Sequence, residues 1–222
     1  MSAAYFSYGE AEVAWLKKRD KRLGEAIDRI GPIRRELDGD LFSAVQHHII
    51  GQQISTKAQK TVWARLCTQL GEVSADTVCS AGLATIQACG TTFRKAEYML
   101  DYADRVRTGA FDPQAVAAMN DADAIAALFA LRGIGVWTAE MILLFSLQRP
   151  NILSFGDLAI LRGMRMLYRR REIDRDRFER YRKRFNPYGS TASLYFWAIS
   201  AGALPELTDP AQQDGKRKGS NQ

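Results

Sequence analysis

Two glycines separated by one residue form the first chemically suggestive feature of this sequence. Gly133 and Gly135 lie within LRGIGVWTA, residues 131–139, between two stretches with helical periodicity. Glycine permits positive φ angles and a close approach of the backbone to another group. The helix that follows begins with amides that lack intrahelical acceptors, and these amides with the helix dipole suit one phosphate. The pattern indicates either a phosphate-binding hairpin or a purely structural turn.

A single carboxylate, Asp157, opens another helical stretch about twenty residues after the glycine pair. It follows Ser154-Phe155-Gly156 and precedes the apolar residues 158–160. Aspartate before an apolar helix is a favoured N-cap, which accounts for this residue without any chemistry. A carboxylate at such a position can also stabilise positive charge that develops on a neighbouring group. Both roles stay open, and neither excludes the other.

The distribution of charge indicates where a polyanion could bind. The 222 residues carry a net charge of +6. Residues 161–185 contain eleven Lys or Arg and four Asp or Glu, whereas the remainder contains twenty basic and twenty-one acidic residues. Such a basic segment suits nucleic acid. Because acidic residues are interleaved with the basic ones, it equally suits a solvated helix surface with i,i+4 ion pairs.

The composition and the termini exclude several protein classes. Hydrophobic residues make up 46% of the chain, which is enough for a core, but no run approaches the ~18 apolar residues of a membrane span. The first twenty residues lack the pattern of a secretory signal. Cys67, Cys79 and Cys89 are odd in number and have no CxxC spacing, so we expect reduced thiols rather than disulfides or zinc. We therefore expect a cytoplasmic protein without a membrane partner.

Helical periodicity predicts the elements that must position these residues. No window shows the alternation of a strand, so the sequence predicts an all-α fold. Turns are predicted over Ser74–Gly90, a linker between Pro113 and Asn120, and a disordered tail from Pro205. The predicted helices are one or two N-terminal helices ending at Gly31-Pro32, Leu41–Ile50, Ser55–Leu70, Phe93–Arg107, Ala122–Ala130, Val136–Leu147, Leu158–Tyr168, Arg175–Arg184 and Thr191–Ser200.

Taken together, these motifs resemble the helix-hairpin-helix superfamily of DNA glycosylases. The signature of that superfamily is a Leu-x-Gly-Ile-Gly-x-Trp-Thr-Ala hairpin followed about twenty residues later by an Asp that opens a helix, and residues 131–168 fit both parts. HHIIGQQISTKAQKTVWARL, residues 47–66, resembles its Gly-Gln helix-and-wedge segment, and NPYGSTASLYFWAIS, residues 186–200, resembles its final core helix. The resemblance covers roughly residues 38–202 and is strongest with bacterial DNA-3-methyladenine glycosylase II.

The resemblance implies a two-lobed, all-α helical bundle with a helix-hairpin-helix DNA-binding motif and an active site in the cleft between the lobes. We expect residues 1–37 plus 170–204 to form one lobe, residues 38–169 the hairpin lobe, and residues 205–222 a disordered basic tail. Only short helical sequence precedes residue 38, so we expect the N-terminal sheet domain of longer members to be absent. A bacterial, nucleoid-associated protein is also implied, with a monomer as the default because one chain holds one active site.

By the same resemblance, Asp157 is the catalytic carboxylate of a monofunctional glycosylase that removes alkylated bases of the 3-methyladenine type from damaged double-stranded DNA. Cleavage of the N-glycosidic bond builds positive charge on the sugar, which a carboxylate stabilises. A base alkylated on a ring nitrogen is already cationic and leaves readily, so one carboxylate suffices where glycosidases use two. The base must first be flipped out of the duplex. The product is an abasic site.

Missing residues narrow the expected chemistry further. Family members with lyase activity carry a Lys two residues after the second glycine, whose amine forms a Schiff base with the sugar; Trp137 occupies that position, so we expect no strand cleavage. Other members bind an iron–sulfur cluster through four C-terminal cysteines, and no cysteine follows Cys89. We expect no cofactor and no metal held by side chains, although the resemblance implies that the hairpin carbonyls can hold a monovalent cation.

The resemblance also assigns a base pocket. Trp137 and Trp197 fall at pocket positions, where an indole face suits a cationic base through stacking and cation–π attraction. Met141 stands where relatives place a further aromatic residue, and His48 is a fourth candidate. A purely structural role is the alternative for both tryptophans and for the histidine.

Contacts to DNA are expected from the hairpin, the wedge segment and the helix after Asp157. Gln53 falls at the wedge position, where longer relatives use a bulky apolar residue instead. For Arg162 a helix-surface role is the alternative. The expected DNA-contacting residues are Gly133, Ile134, Gly135, Thr138, Gln52, Gln53 and Arg162.

Three functions are therefore compatible with the sequence. The first is the glycosylase for alkylated bases, and the second is a glycosylase for an oxidised, deaminated or mismatched base. The third is a non-catalytic helix-hairpin-helix module that binds DNA. Such a module would keep the Gly133–Gly135 turn and the basic segment, and would use Asp157 only as a helix cap.

Overall fold

Helices form nearly all of the regular structure in the computed structural model, which describes residues 4–212. One isolated antiparallel β-bridge joins Tyr5 to Glu36, so the predicted all-α class is confirmed. No helix in this range is both long and apolar enough to cross a membrane. The helices are α1 (Glu10–Arg19), α2 (Lys21–Ile30), α3 (Leu41–Gly51), α4 (Thr56–Leu70), α5 (Ala75–Ala88), α6 (Phe93–Arg107), α7 (Pro113–Ala118), α8 (Asp121–Phe129), α9 (Val136–Phe145), α10 (Leu158–Tyr168), α11 (Arg175–Phe185), α12 (Gly189–Ser200) and a 3₁₀ turn (Pro210–Gln212).

Side-chain caps begin most of these helices. Asp40 accepts a hydrogen bond from the amide of Ser43 at the start of α3, and Ser55 accepts one from Ala58 at the start of α4. Such a cap satisfies an amide that has no acceptor within the helix. The N-cap of α9 is Gly135, which makes no side-chain cap hydrogen bond.

Two segments that the sequence predicted as turns and a linker are helical in the structure, so the prediction was wrong there. The predicted turns over Ser74–Gly90 are mostly helix α5, which is broken at Gly82 with φ 74° and ψ 172°. The predicted linker after Pro113 contains the short helix α7, which Asp112 caps. The break at Gly82 and the shortness of α7 both hide the 3.6-residue period on which a helix prediction depends.

The described residues divide into two compact units. Unit 1 consists of residue 4 with residues 37–148 and contains α3 to α9; unit 2 consists of residues 5–36 with residues 149–212 and contains α1, α2 and α10 to α12. The sequence prediction placed residues 149–169 with the hairpin lobe, whereas the structure groups them with unit 2. The physical reason is that α10 packs along α12.

The contact between α10 and α12 is unusually close at Gly163. A Cβ atom at this position would lie 2.1 Å from the carbonyl oxygen of Phe196, so only glycine fits. Met164, Phe178 and Phe196 are completely buried in the surrounding core of unit 2. Because Asp157 caps the first turn of α10, this packing fixes the carboxylate within unit 2.

The tail prediction is wrong for residues 205–212. Asp209 is buried and forms a bidentate ion pair with Arg165, with Nε–Oδ1 and Nη2–Oδ2 distances of 2.9 and 2.6 Å. This hydrogen bonding lowers the pKa of Asp209. Leu207 packs against the core of unit 2. The ion pair ties the segment to α10. Residues 213–222 lie outside the described residues.

We predict that Gly163→Ala destabilises unit 2. The added methyl group meets backbone rather than a movable side chain, so the free energy of unfolding should fall by about 3 kcal/mol, although alanine is the better helix former. Gly9→Ala is the matched control, because its φ of −147° suits any residue and the nearest atom is 3.9 Å away. Denaturant unfolding of both variants checks the prediction, and equal stability of the two would contradict it.

Candidate functional site

The glycine pair of unit 1 forms a tight connection between α8 and α9. Leu131 and Ile134 point inward, each with 4% of its surface exposed, and the amide of Ile134 donates to the carbonyl of Leu131 at 3.2 Å. Gly133 has a φ of 83°, and both glycines are exposed. Two buried apolar side chains therefore anchor the turn and leave its glycine backbone at the surface.

The ring of Tyr98 supports the backbone of Gly133. A Cβ atom on Gly133 would lie 2.3 Å from ring atom Cδ2. The Tyr98 hydroxyl accepts a hydrogen bond from Nε of Arg94 at 2.6 Å, and the guanidinium of Arg132 lies 5.3 Å from the ring centroid. Gly133 is thus required both by its φ angle and by this contact. Sequence reasoning missed Tyr98, because only the fold brings α6 against the hairpin.

The turn between α3 and α4 is also tied to the hairpin. The side-chain amide of Gln52 donates to the carbonyl of Gly133 at 2.6 Å. The ammonium of Lys95 donates to the carbonyls of Ile50 and Gln52 at 2.9 and 2.6 Å, and burial lowers its pKa. Gln53 follows with an exposed side chain and a φ of 57°. Gln52 is therefore fixed against the hairpin, with Gln53 presented beside it.

The first turn of α9 is suited to an anion. Gly135 adopts an extended conformation, with φ −88° and ψ 168°, and supplies no side-chain acceptor to the amides of that turn. Trp137 is 45% exposed, whereas Thr138 is buried. Helix N-termini of this kind bind phosphate through backbone amides and the helix dipole. Met141, one turn further, is only 3% exposed and contributes to the interior of unit 1.

His48 belongs to a cluster around Asp38. The Nε2 atom of His48 lies 3.0 Å from Oδ2 of Asp38, and Nδ1 of His47 lies 3.5 Å from Oδ1. Burial opposes ionisation of Asp38, but the hydrogen bonds from the two imidazoles hold the pKa of Asp38 well below its usual range. The backbone amide of Asp38 donates to Phe145 at the end of α9. The structure therefore gives His48 a structural partner, and its contact with a base stays a prediction.

Asp157 lies at the start of α10 in unit 2 and is 6% exposed. Its Oδ1 atom accepts hydrogen bonds from the amides of Ala159 and Ile160, both at 2.9 Å. The neighbouring Leu158 is 80% exposed. The sequence prediction that Asp157 can cap this helix is confirmed, and both cap bonds use the same carboxylate oxygen.

The two other predicted site residues of unit 2 differ in their surroundings. Arg162 is half-buried, and its Nε atom is buried without a hydrogen-bond partner among the described residues. Its positive charge also lowers the pKa of Asp209, after the larger effects of Arg165. Trp197 is half-buried and packs against the core of unit 2. Their contacts with DNA and with a base stay predictions.

Unit 1 brings Gln52 and Gly133 into direct contact, whereas His48 is bound to Asp38 instead. Within residues 4–212, no group of three or more His, Cys, Asp or Glu side chains could hold a metal ion. The carbonyl of Gly133 already accepts a hydrogen bond from Gln52, and the monovalent cation at the hairpin stays a prediction.

The predicted site residues are divided between the two units. Those of unit 1 are Trp137, Met141, His48, Gly133, Ile134, Gly135, Thr138, Gln52 and Gln53; those of unit 2 are Asp157, Arg162 and Trp197.

Comparison with known protein families identifies the family of this chain. Residues 47–187, which include the hairpin and Asp157, match the family model of HhH-GPD superfamily base excision DNA repair proteins. The chain belongs to this superfamily. The resemblance drawn from the motifs is thereby confirmed.

Individual relatives agree with this family membership. The crystal structure of a DNA-3-methyladenine glycosidase from Bacillus halodurans is 30% identical, with a TM-score of 0.79, over 92% of this chain and 95% of that one. DNA-3-methyladenine glycosylase 1 of Schizosaccharomyces pombe (strain 972) is 24% identical over 208 residues, 91% of this chain and 90% of the relative. The Bacillus subtilis (strain 168) protein YfjP is 27% identical over 173 residues, and the match spans 72% of this chain but only 59% of that protein.

We predict that the two hairpin glycines of this superfamily member tolerate substitution differently. Gly133→Ala forces a side chain into the left-handed region and against Tyr98, so the free energy of unfolding should fall by about 2 kcal/mol or more. Gly135→Ala has open space and a negative φ, so its stability should stay within about 0.5 kcal/mol of the wild type. Denaturant unfolding separates the two variants. A Gly133→Ala protein as stable as Gly135→Ala would refute the contact with Tyr98.

Proposed function

We propose that this chain is a monofunctional DNA glycosylase that excises alkylated bases of the 3-methyladenine type from duplex DNA and leaves an abasic site. The observation that carries the proposal is a buried, capping Asp157 in a chain whose hairpin helix has no side-chain cap of its own. Membership in a base excision repair family supports it. The names of the Bacillus halodurans and Schizosaccharomyces pombe relatives support the choice of alkylated bases.

Asp157 would act on the sugar of the damaged nucleotide. The cap bonds hold Oδ1 in place, so the carboxylate is oriented before any substrate arrives, and no reorganisation is needed when charge develops. Positive charge accumulates on the deoxyribose as the bond to the base breaks, and the negative carboxylate stabilises it. A water molecule then adds to the sugar, with Asp157 accepting its proton. The alkylated base departs as a neutral group because it was cationic in the substrate.

The hairpin would supply binding rather than chemistry. The amides at the start of α9 would hold one phosphate, and Tyr98 and Gln52 contact Gly133 in the turn that precedes them. The exposed indole of Trp137 offers a flat face on which a base can stack. A cationic alkylated base is held more tightly by such a face than a neutral one.

Strand cleavage is not part of the proposed reaction. Lyase chemistry needs a neutral lysine amine that can attack the sugar, and Trp137 occupies the position where lyase relatives carry it. Lys95 is the lysine bound beside the hairpin, and its ammonium donates to two backbone carbonyls. These two contacts give Lys95 a structural role, because they hold the backbone of the turn before α4 against α6. The product is therefore proposed to be an intact strand with one abasic site.

We predict that Asp157→Asn abolishes excision while the fold and DNA binding persist. Asparagine keeps an Oδ1 acceptor for the two cap bonds but removes the negative charge, so the single-turnover rate should fall at least about 100-fold. The assay uses methylated duplex DNA, with abasic sites revealed by alkaline cleavage. Samples left without alkali measure lyase activity, and we expect intact strands there.

Asp174→Asn is the matched control for this prediction. Asp174 is also an N-cap aspartate of unit 2 and accepts a hydrogen bond from the amide of Arg177 at 2.7 Å. The same chemical change there should leave the excision rate unchanged. Wild-type turnover by Asp157→Asn would remove the catalytic assignment. Release of only oxidised, deaminated or mismatched bases from a lesion panel would favour the second function, and release of none would favour a binding module.

A further inference from the structure

A broad groove in unit 1, between α4 and the second half of α5, has no role in the proposed reaction. It has a volume of about 1310 Å³ and is open to solvent. Lys57, Lys60 and Arg65 of α4 line one wall. Small residues such as Ala84 and Ala88 form the opposite side, so a bulky chain can approach closely. The groove is therefore wide, positively charged along one wall and free of large side chains on the other.

The positive charge of this groove is not neutralised by any acidic residue within residues 4–212. The fifteen residues of α4 include no acidic residue, and none of the described acidic side chains pairs with Lys57, Lys60 or Arg65. All three side chains are exposed. Burial raises the pKa of Cys89, which also lines the groove, and the positive charge of Arg65 opposes that rise.

The arginine-rich segment of unit 2 differs in this respect. Sequence reasoning placed the basic excess there, over residues 161–185. Several of its arginines form ion pairs with described carboxylates, namely Arg165 with Asp209, Arg184 with Asp20, Arg177 with Asp174, and Arg175 and Arg182 with Glu179. The acid-free groove of α4 is the stronger candidate for a polyanion.

The groove and the hairpin belong to the same unit and are linked through a short segment. Gln52 is hydrogen-bonded to Gly133, and Lys57 follows five residues later, within a reach of about 17 Å. From Lys57 to Arg65 the helix rises about 12 Å. One strand of DNA presents a phosphate about every 3.4 Å along the axis, so three cations over this length match three or four phosphates.

We propose that the groove between α4 and α5 is a second binding site for the phosphate backbone of duplex DNA, which the protein engages together with the hairpin. The inference rests on the proposed function in that DNA is the partner. The site reads no sequence, because Lys and Arg side chains contact phosphates rather than bases. It fixes the position of the duplex on unit 1 and contributes much of the affinity for undamaged DNA.

The test compares two triple variants of the full chain with equal loss of charge. K57Q/K60Q/R65Q removes the groove cations, and R170Q/R180Q/K183Q removes three exposed cations of unit 2. Binding to an undamaged duplex of about 20 base pairs is measured between about 50 and 200 mM salt. Each lost phosphate contact lowers the slope of log K against log salt by about 0.9. We expect the groove variant to lose about 2 to 3 units of slope and at least tenfold in affinity, and the control variant to change little.

An unchanged slope in the groove variant would overturn the proposal, as would an equal loss in both variants. Polyglutamate serves as a model of an acidic polypeptide. If the groove variant loses binding to polyglutamate but binds DNA as the wild type does, the proposal is overturned in favour of an acidic protein partner. Thermal unfolding shows whether the variants fold, and single K57Q, K60Q and R65Q proteins replace the triple variant if it does not. Excision by the wild type, measured in parallel on methylated duplex, tests the proposed function separately. If the wild type excises methylated bases but the groove variant binds DNA as the wild type does, the groove proposal is refuted and the proposed function is not.

Discussion

The contact between the backbone of Gly133 and the ring of Tyr98 is the constraint on which the conformation of the hairpin depends. No side chain fits between them, and only glycine adopts the φ of 83° without strain. The carbonyl of the same glycine accepts a hydrogen bond from the side-chain amide of Gln52, and the backbone carbonyl of Gln52 accepts one from the ammonium of Lys95. One residue without a side chain therefore connects α6, the hairpin and the turn before α4 within unit 1.

The N-termini of α9 and α10 both favour negative charge, but only α10 has a side-chain carboxylate at its cap position. The start of α10 has its amides satisfied by Asp157, so the positive end of that helix holds a carboxylate in a fixed orientation. The start of α9 has a glycine in the cap position, which suits an anion from outside the protein. In the reaction that we propose, the protein supplies the anion that acts on the sugar, and the substrate supplies the phosphate that binds at α9.

Local signals in the sequence were enough to predict the hairpin, the cap at Asp157 and most helices, because each depends on residues close together in the chain. The prediction was wrong at α5, where Gly82 interrupts the period, and it also missed the short helix α7. It also missed Tyr98 and the pairing of Arg165 with Asp209, because these contacts join residues far apart in sequence. The charged groove along α4 could not be predicted from the sequence for a related reason. A count of charges along the chain does not show which of them form ion pairs in the folded protein.

The most direct test of the central claim is a scan of single uncharged methylphosphonates along a duplex that carries one abasic-site analogue, which fixes the register of binding. We expect one phosphate near the lesion whose neutralisation weakens binding at least about tenfold, because a charge-assisted hydrogen bond is lost. In Gly133→Ala that sensitivity should disappear. A flat profile in the wild type, or an unchanged profile in Gly133→Ala, would contradict the claim that this hairpin holds a phosphate.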